Sequence, residues 1–164
     1  MRYPKLRELV EAIKALIIGP YTANFPKKPA ICSSKYRGRP TYDEKTCIGC
    51  GACAIACPTG SITMIEAETE DEPYRIFNQD LGKCIFCGEC QIQCPVETGI
   101  ELKPEWDLAV LNREDLIYEG IRKEVLFCSD CGCVIGSIDQ LRYLYRRLGP
   151  LAFSNPTLIL SMED

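Results

Sequence analysis

Two near-copies of one cysteine run constrain this chain more than any other feature. CIGCGACAIACP fills residues 47–58 and CIFCGECQIQCP fills residues 84–95, an offset of 37. Cys47, Ile48, Cys50, Gly51, Cys53, Ile55, Cys57 and Pro58 recur as Cys84, Ile85, Cys87, Gly88, Cys90, Ile92, Cys94 and Pro95. A C-x2-C-x2-C-x3-C-P run brings three thiolates into one tight loop, where they reach three corners of a compact iron–sulfur cluster. The small residues Gly49, Gly51 and Ala52 let the backbone wrap closely. Each fourth cysteine falls beyond the loop, at the start of a helical turn that aims it elsewhere, and Pro58 and Pro95 then release the chain without a competing N–H. Zinc calls for paired knuckles with a longer insert, and disulfides belong to oxidising compartments. The spacing favours two [4Fe–4S] clusters over both alternatives.

The chain has 164 residues, with 12 cysteines and no histidine. That length holds one modest domain plus extensions. Glu8, Glu11 and Lys14 interrupt the apolar residues near the start, so no export leader is expected, and no apolar run nears the roughly 18 residues of a membrane span. Cytoplasmic thiols stay reduced, which again favours metal or redox cofactors. The absence of histidine removes the commonest general base, and no other catalytic constellation stands out. No catalytic site of its own is expected.

Charge is divided unevenly. Residues 1–40 carry nine Lys/Arg against Glu8 and Glu11, whereas the remaining residues carry ten basic and 21 acidic side chains. A basic arm on an acidic body suits an anionic membrane face or an acidic partner. Nucleic acid is not expected, because neither a stacking platform nor a helix-turn-helix pattern accompanies the arm.

Three regions follow. In residues 1–40, Leu6, Leu9, Val10, Ile13, Leu16 and Ile17 recur at helical steps, predicting an amphipathic helix over 4–18 that Gly19-Pro20 ends. A proline-broken arm comes next. Residues 41–102 are the core, a duplicated α+β unit with strands at 61–65 and 100–102 and a hairpin between the halves whose acidic tip is 68–72. Residues 103–164 are a partly helical extension with a cysteine knuckle. There, WDLAV reads as extended, REDLIYEGIRKEV as a helix, and SIDQLRYLYRRLG as a second helix whose Leu141, Leu144 and Leu148 face a partner. Tyr42 and Trp106 read as packing residues.

The core resembles the two-cluster bacterial ferredoxins. In that family the fourth cysteine of each run ligates the other cluster. The resemblance therefore implies one cluster on Cys47, Cys50, Cys53 and Cys94, and another on Cys84, Cys87, Cys90 and Cys57. Such clusters pass single electrons. Glu89 stands where the first run has Ala52. A unit charge about 7 Å away at an effective dielectric of 20 is worth roughly 2 kcal/mol, so Glu89 is expected to lower the potential of the second cluster.

KYRGRPTYDEKTCIGCGACAIACP, with its Arg37-Gly38-Arg39 motif, resembles the eight-iron subunit of complex I and of related membrane hydrogenases. The order of LGKCIFCGECQIQCP, EWDLAVLNREDL and a new cysteine knuckle resembles the iron–sulfur subunit of formate hydrogenlyase. Archaeal membrane-bound sulfane reductases share the same plan. The resemblance implies an electron-transfer subunit, peripheral on the cytoplasmic side of the cell membrane. Its implied partners are hydrogenase small-subunit-like and large-subunit-like proteins, another iron–sulfur donor subunit, and membrane-arm subunits. The amphipathic helix would lie on the membrane arm or on lipid. The competing readings are an equivalent subunit of complex I or of a sulfane reductase, and a diffusible ferredoxin.

Four cysteines lie outside the runs. Cys128-Ser-Asp-Cys131-Gly132 has the form of a metal knuckle, Cys133 follows, and Cys32 lies in the arm. These four are a candidate third site for one zinc or iron ion; reduced thiols packed at an interface are the alternative.

Overall fold

The computed structural model describes residues 5–19, 25–28, 30–68, 73–128, 130–156 and 158. The chain divides into two compact units, Met1–Ser33 and Ser34–Asp164. The first contains α1 (Leu6–Ile18), the expected amphipathic helix. The Glu8 carboxylate accepts the Lys5 backbone N–H at 3.0 Å and ties down its first turn, and Gly19 ends it. Its apolar face is uncovered: Leu6 and Leu16 are each 86% exposed.

In the second unit the two cysteine runs fold alike. Each loop leads into one short helix, α2 (Ala52–Ile55) and α3 (Glu89–Ile92). Cys57 and Cys94 follow these helices rather than opening a helical turn, which corrects the reading of the fourth cysteines. The strands around them are less symmetric. β1 (Pro40–Tyr42) pairs antiparallel with β4 (Ile100–Leu102), closing the start of the core onto its end. β2 (Ile62–Glu68) and β3 (Pro73–Asp80) form the expected hairpin, whose tip at 69–72 lies outside the described residues.

The largest departure lies beyond residue 103. Instead of a helix, REDLIYEGIRKEV forms a 3-10 turn (Arg113–Leu116) and then the long strand β5 (Ile117–Phe127). β5 pairs with β3, and β6 (Val134–Ser137) pairs with β5, giving a four-stranded antiparallel sheet in the order β2-β3-β5-β6. Ile117, Ile121 and Val125 lie four apart and imitate a helical stripe. A register shift opposite Phe77 and Asn78 inserts Gly120 and turns Ile117 to the exposed face, while Ile121 and Val125 are buried. A Cβ on Gly120 would lie 2.5 Å from the Tyr42 ring, so the bulge also admits that ring.

Cys53, Ile62, Phe77, Cys90, Ile100 and Ile121 form the main core, joined by Tyr42 and Leu102. The second predicted helix is present as α4 (Ile138–Leu148), capped by Ser137, whose Oγ accepts the Gln140 N–H at 3.2 Å. Leu141 does not face a partner: it is buried with Ala152 and Leu158 in a second small core, while Leu144 and Leu148 remain partly exposed.

Candidate iron–sulfur site

The fold encloses two small cavities, one beside each cysteine loop. Cys47, Cys50, Cys53 and Cys94 line the first, with Tyr42, Phe77 and Ile100 among their neighbours. Cys57, Cys84, Cys87 and Cys90 line the second, with Ser61, Ile62 and Gln79. The spaces are alike, about 20 Å³ each. Each receives three cysteines from one run and the fourth from the other. The crossing arises because the chain turns away after each short helix: α2 and α3 pack together, and Cys57 and Cys94 each emerge beside the opposite loop.

The donor set suits a cationic cluster core better than free thiols. Burial pushes the Cys53 and Cys90 thiols up to about 11, so bare thiolates are unfavourable there. Iron would supply the positive charge that stabilises them. Backbone amides already point at sulfur: the Ser61 N–H donates to Cys57 Sγ at 3.3 Å and the Phe86 N–H to Cys84 Sγ at 3.5 Å. The Tyr42 hydroxyl lies 3.5 Å from Cys53 Sγ. Burial, reinforced by that sulfur, raises the Tyr42 pKa far above the ordinary phenol value, so the hydroxyl keeps its proton and can donate to a thiolate. Tyr42 is therefore more than a packing residue.

The surroundings of the two loops differ. At the first, Arg75 Nη1 donates to Gly49 O at 2.7 Å while its other nitrogens hold Glu66. The Ser137 hydroxyl donates to Ile48 O. Lys123 Nζ donates to Glu44 O at 2.7 Å and pairs with Asp139 at 2.8 Å. Burial raises the Cys47 thiol, and the Gly49 N–H and the Lys123 charge oppose that rise. At the second loop, Arg37 Nη1 donates to Cys87 O at 2.8 Å, and Arg39 lies 4.1 Å from the Tyr118 ring centroid. Two cations of the predicted docking arm thus pack on this chain's own second half. Glu89 opens α3, half-buried, and does not line the second cavity.

The remaining cysteines give no support for the expected third site. The Cys128 amide donates to Cys133 O and Gly132 to Cys128 O, each at 2.9 Å, so a tight turn is present. However, Cys131 and Cys133 are exposed, and no fourth donor joins them among the described residues. Cys32 belongs to the other compact unit. A zinc or iron ion is therefore not supported there.

Sequence reasoning missed Tyr42 as a sulfur contact, and it missed Gln79, Arg75 and Lys123 entirely. Nothing in their spacing marks them, because each reaches its cavity or loop only through sheet pairing.

The cysteine runs fall within a domain shared with known proteins. The family described as 4Fe-4S dicluster domain matches residues 46–98. NADH-quinone oxidoreductase subunit I of Pseudomonas fluorescens is 45% identical over 117 residues, covering 68% of this chain and 63% of that protein, so the chain spans under two thirds of that relative's length. The subunit I of Pseudomonas aeruginosa strain PAO1 is 42% identical over 123 residues, covering 71% of this chain and 68% of that protein. Among solved structures, a chain of the membrane-bound sulfane sulfur reductase, an archaeal respiratory membrane complex, aligns with a TM-score of 0.47 at 28% identity, over 71% of this chain and 62% of that one. With eight cysteines around two cavities and that extent of identity to curated relatives, the chain belongs to the NADH-quinone oxidoreductase subunit I family and carries a 4Fe-4S dicluster ferredoxin domain.

Proposed function

We propose that this chain relays single electrons through two [4Fe–4S] clusters as a peripheral subunit of a membrane-bound respiratory oxidoreductase. One cluster is held by Cys47, Cys50, Cys53 and Cys94, the other by Cys84, Cys87, Cys90 and Cys57. The observation that carries this reading is the lining of each cavity by four cysteines, three from one run and one from the other. Clusters of this kind accept and release one electron each and supply no acid, base or nucleophile. The protein's part is to hold them in one core. Cys53 and Cys90, one from each cavity, share that core with Phe77, Ile62, Ile100 and Ile121, which gives a short apolar path between the two clusters.

Membership of a complex is supported by the subunit I relatives and by the uncovered apolar face of α1, which suits a membrane-arm subunit or lipid surface. Among the described residues no helix is long and apolar enough to cross a membrane. The complex I type of assembly is the leading reading, with a second iron–sulfur subunit and membrane-arm subunits as partners on the cytoplasmic side. The hydrogenase-type assembly, with small-subunit-like and large-subunit-like partners, is the alternative suggested by the sequence order of the tail.

The deciding experiment is anaerobic extraction of membranes in mild detergent, followed by iron and sulfide determination and identification of copurifying chains. Two clusters' worth of iron and sulfide with NADH- or flavin-binding subunits supports the leading reading. A nickel-containing large subunit would replace it with the hydrogenase-type one. A chain that purifies alone from the soluble fraction would overturn membership of any complex.

A further inference from the structure

The two cavities share the pattern of their cysteine lining but differ in their polar side chains. In the first, half-buried Tyr42 lies near Cys53. In the second, Ser61 is buried with its hydroxyl bonded to Asp80 O, and Gln79 is fully buried at 0% exposure. Gln79 Oε1 accepts from the Tyr118 hydroxyl at 2.6 Å. Gln79 Nε2 is buried and has no hydrogen-bond partner in the protein, although the side chain lines the cavity beside Cys57, Cys84, Cys87 and Cys90. A buried amide donor left unpaired is destabilising, and folded chains rarely carry one that nothing answers. Turning the amide over would aim Oε1 at the cavity, where the negative charge of thiolates and sulfides repels it. A sulfur acceptor inside the cavity would answer the unpaired Nε2.

We propose that Gln79 donates an N–H···S hydrogen bond to the cluster held by Cys57, Cys84, Cys87 and Cys90 and raises its reduction potential, with Tyr118 as the positioning residue. The proposal rests on the reading that this cavity holds a [4Fe–4S] cluster. On reduction the cluster gains one electron and one unit of negative charge, and a donor aimed at its sulfur stabilises that state more than the oxidised one. Tyr118 holds the amide in place. Burial raises its pKa, so it stays protonated, and its hydroxyl also lies 3.1 Å from Pro40 O. The Arg39 guanidinium packs on its ring, which joins the Arg37-Gly38-Arg39 segment to the second cavity through three side chains in sequence.

The test is a dithionite titration of the anaerobically purified complex, followed by electron paramagnetic resonance, for wild type, Gln79→Leu and Tyr118→Phe. Leucine keeps much of the volume and removes the donor. We expect Gln79→Leu to make one cluster about tenfold harder to reduce, which is 59 mV for one electron, and to leave the other cluster unmoved. Tyr118→Phe should shift the same cluster in the same direction by less. Full iron and sulfide content with both potentials unchanged in both variants would overturn the proposal. Where Gln79→Leu fails to load, Tyr118→Phe decides by the same criterion. A wild-type complex in which this chain shows no [4Fe–4S] signal would overturn the cluster reading itself, a result distinct from loaded but unshifted clusters.

Discussion

The two cysteine loops begin from nearly the same sequence and end in different surroundings. The first lies under the C-terminal sheet and helix: Arg75, Lys123 and Ser137 all bond its backbone or the residues just before it. The second is approached by Arg37 and Arg39 of the preceding segment, and Ile85, the counterpart of half-buried Ile48, stays 62% exposed. The backbone repeats this contrast. Gly49 and its counterpart Phe86 both have positive φ, 64° and 54°. At Gly49 a Cβ would lie 3.0 Å from Lys123 Cβ and 3.1 Å from Ser137 Oγ, whereas Phe86 has room for a ring. A duplicated motif thus keeps its loop geometry while the later elements pack on the first loop and the preceding segment packs on the second.

The sharpest way to break this contrast is to remove the buried cation beside the first loop. Arg75→Met releases the exposed Glu66 and leaves Gly49 O without its donor, and should cost about 2–3 kcal/mol by denaturant unfolding. The counterpart Arg37→Met removes one hydrogen bond at an exposed side chain and should cost about 1 kcal/mol. Equal losses would show that the two halves are supported alike.

Exchanging the loop residues comes next. Gly49→Phe, which copies the second run into the first, meets Lys123 and Ser137 and should destabilise by about 1–3 kcal/mol. Phe86→Gly relieves a positive φ but uncovers the second cavity, and should change stability by about 1 kcal/mol or less. Thermal melts of both variants measure the difference.

The redox contrast is smaller in energy but more specific. Tyr42→Phe removes the only side-chain hydroxyl near Cys53 among the described residues, and should make the first cluster several-fold harder to reduce while leaving the second unchanged. The smallest effect is expected from Glu89→Ala. Because Glu89 does not line the second cavity, its charge acts from farther away, and the reduction equilibrium should move by less than about threefold. A larger shift would restore the stronger role that its place in the run suggested.

Much of the site was legible because cluster ligation is a local property of spacing. The runs at 47–58 and 84–95 specify which cysteines share a loop, and the duplication specifies two of them. The N-terminal helix and α4 were also legible, since a 3.6-residue period survives without knowledge of any neighbour. β5 was misread because Ile117, Ile121 and Val125 lie four apart, a spacing that fits a helix as well as a strand, and only pairing with β3 makes that segment a strand. The knuckle at Cys128 was read as a metal site from a motif that needs a fourth donor, and none joins it among the described residues.

By itself, then, the sequence determined the chemistry: twelve cysteines, no histidine, and two loops of iron–sulfur spacing. Tertiary structure alone decided what surrounds each loop. Gln79 comes from β3, Tyr118 and Lys123 from β5, and Ser137 from the end of β6, and sheet register, which depends on contacts far apart in the chain, sets them beside the cavities. Hydrogen bonds and buried charges act over a few ångströms of space, not over sequence distance, so the groups that tune each half had no sequence signature to read.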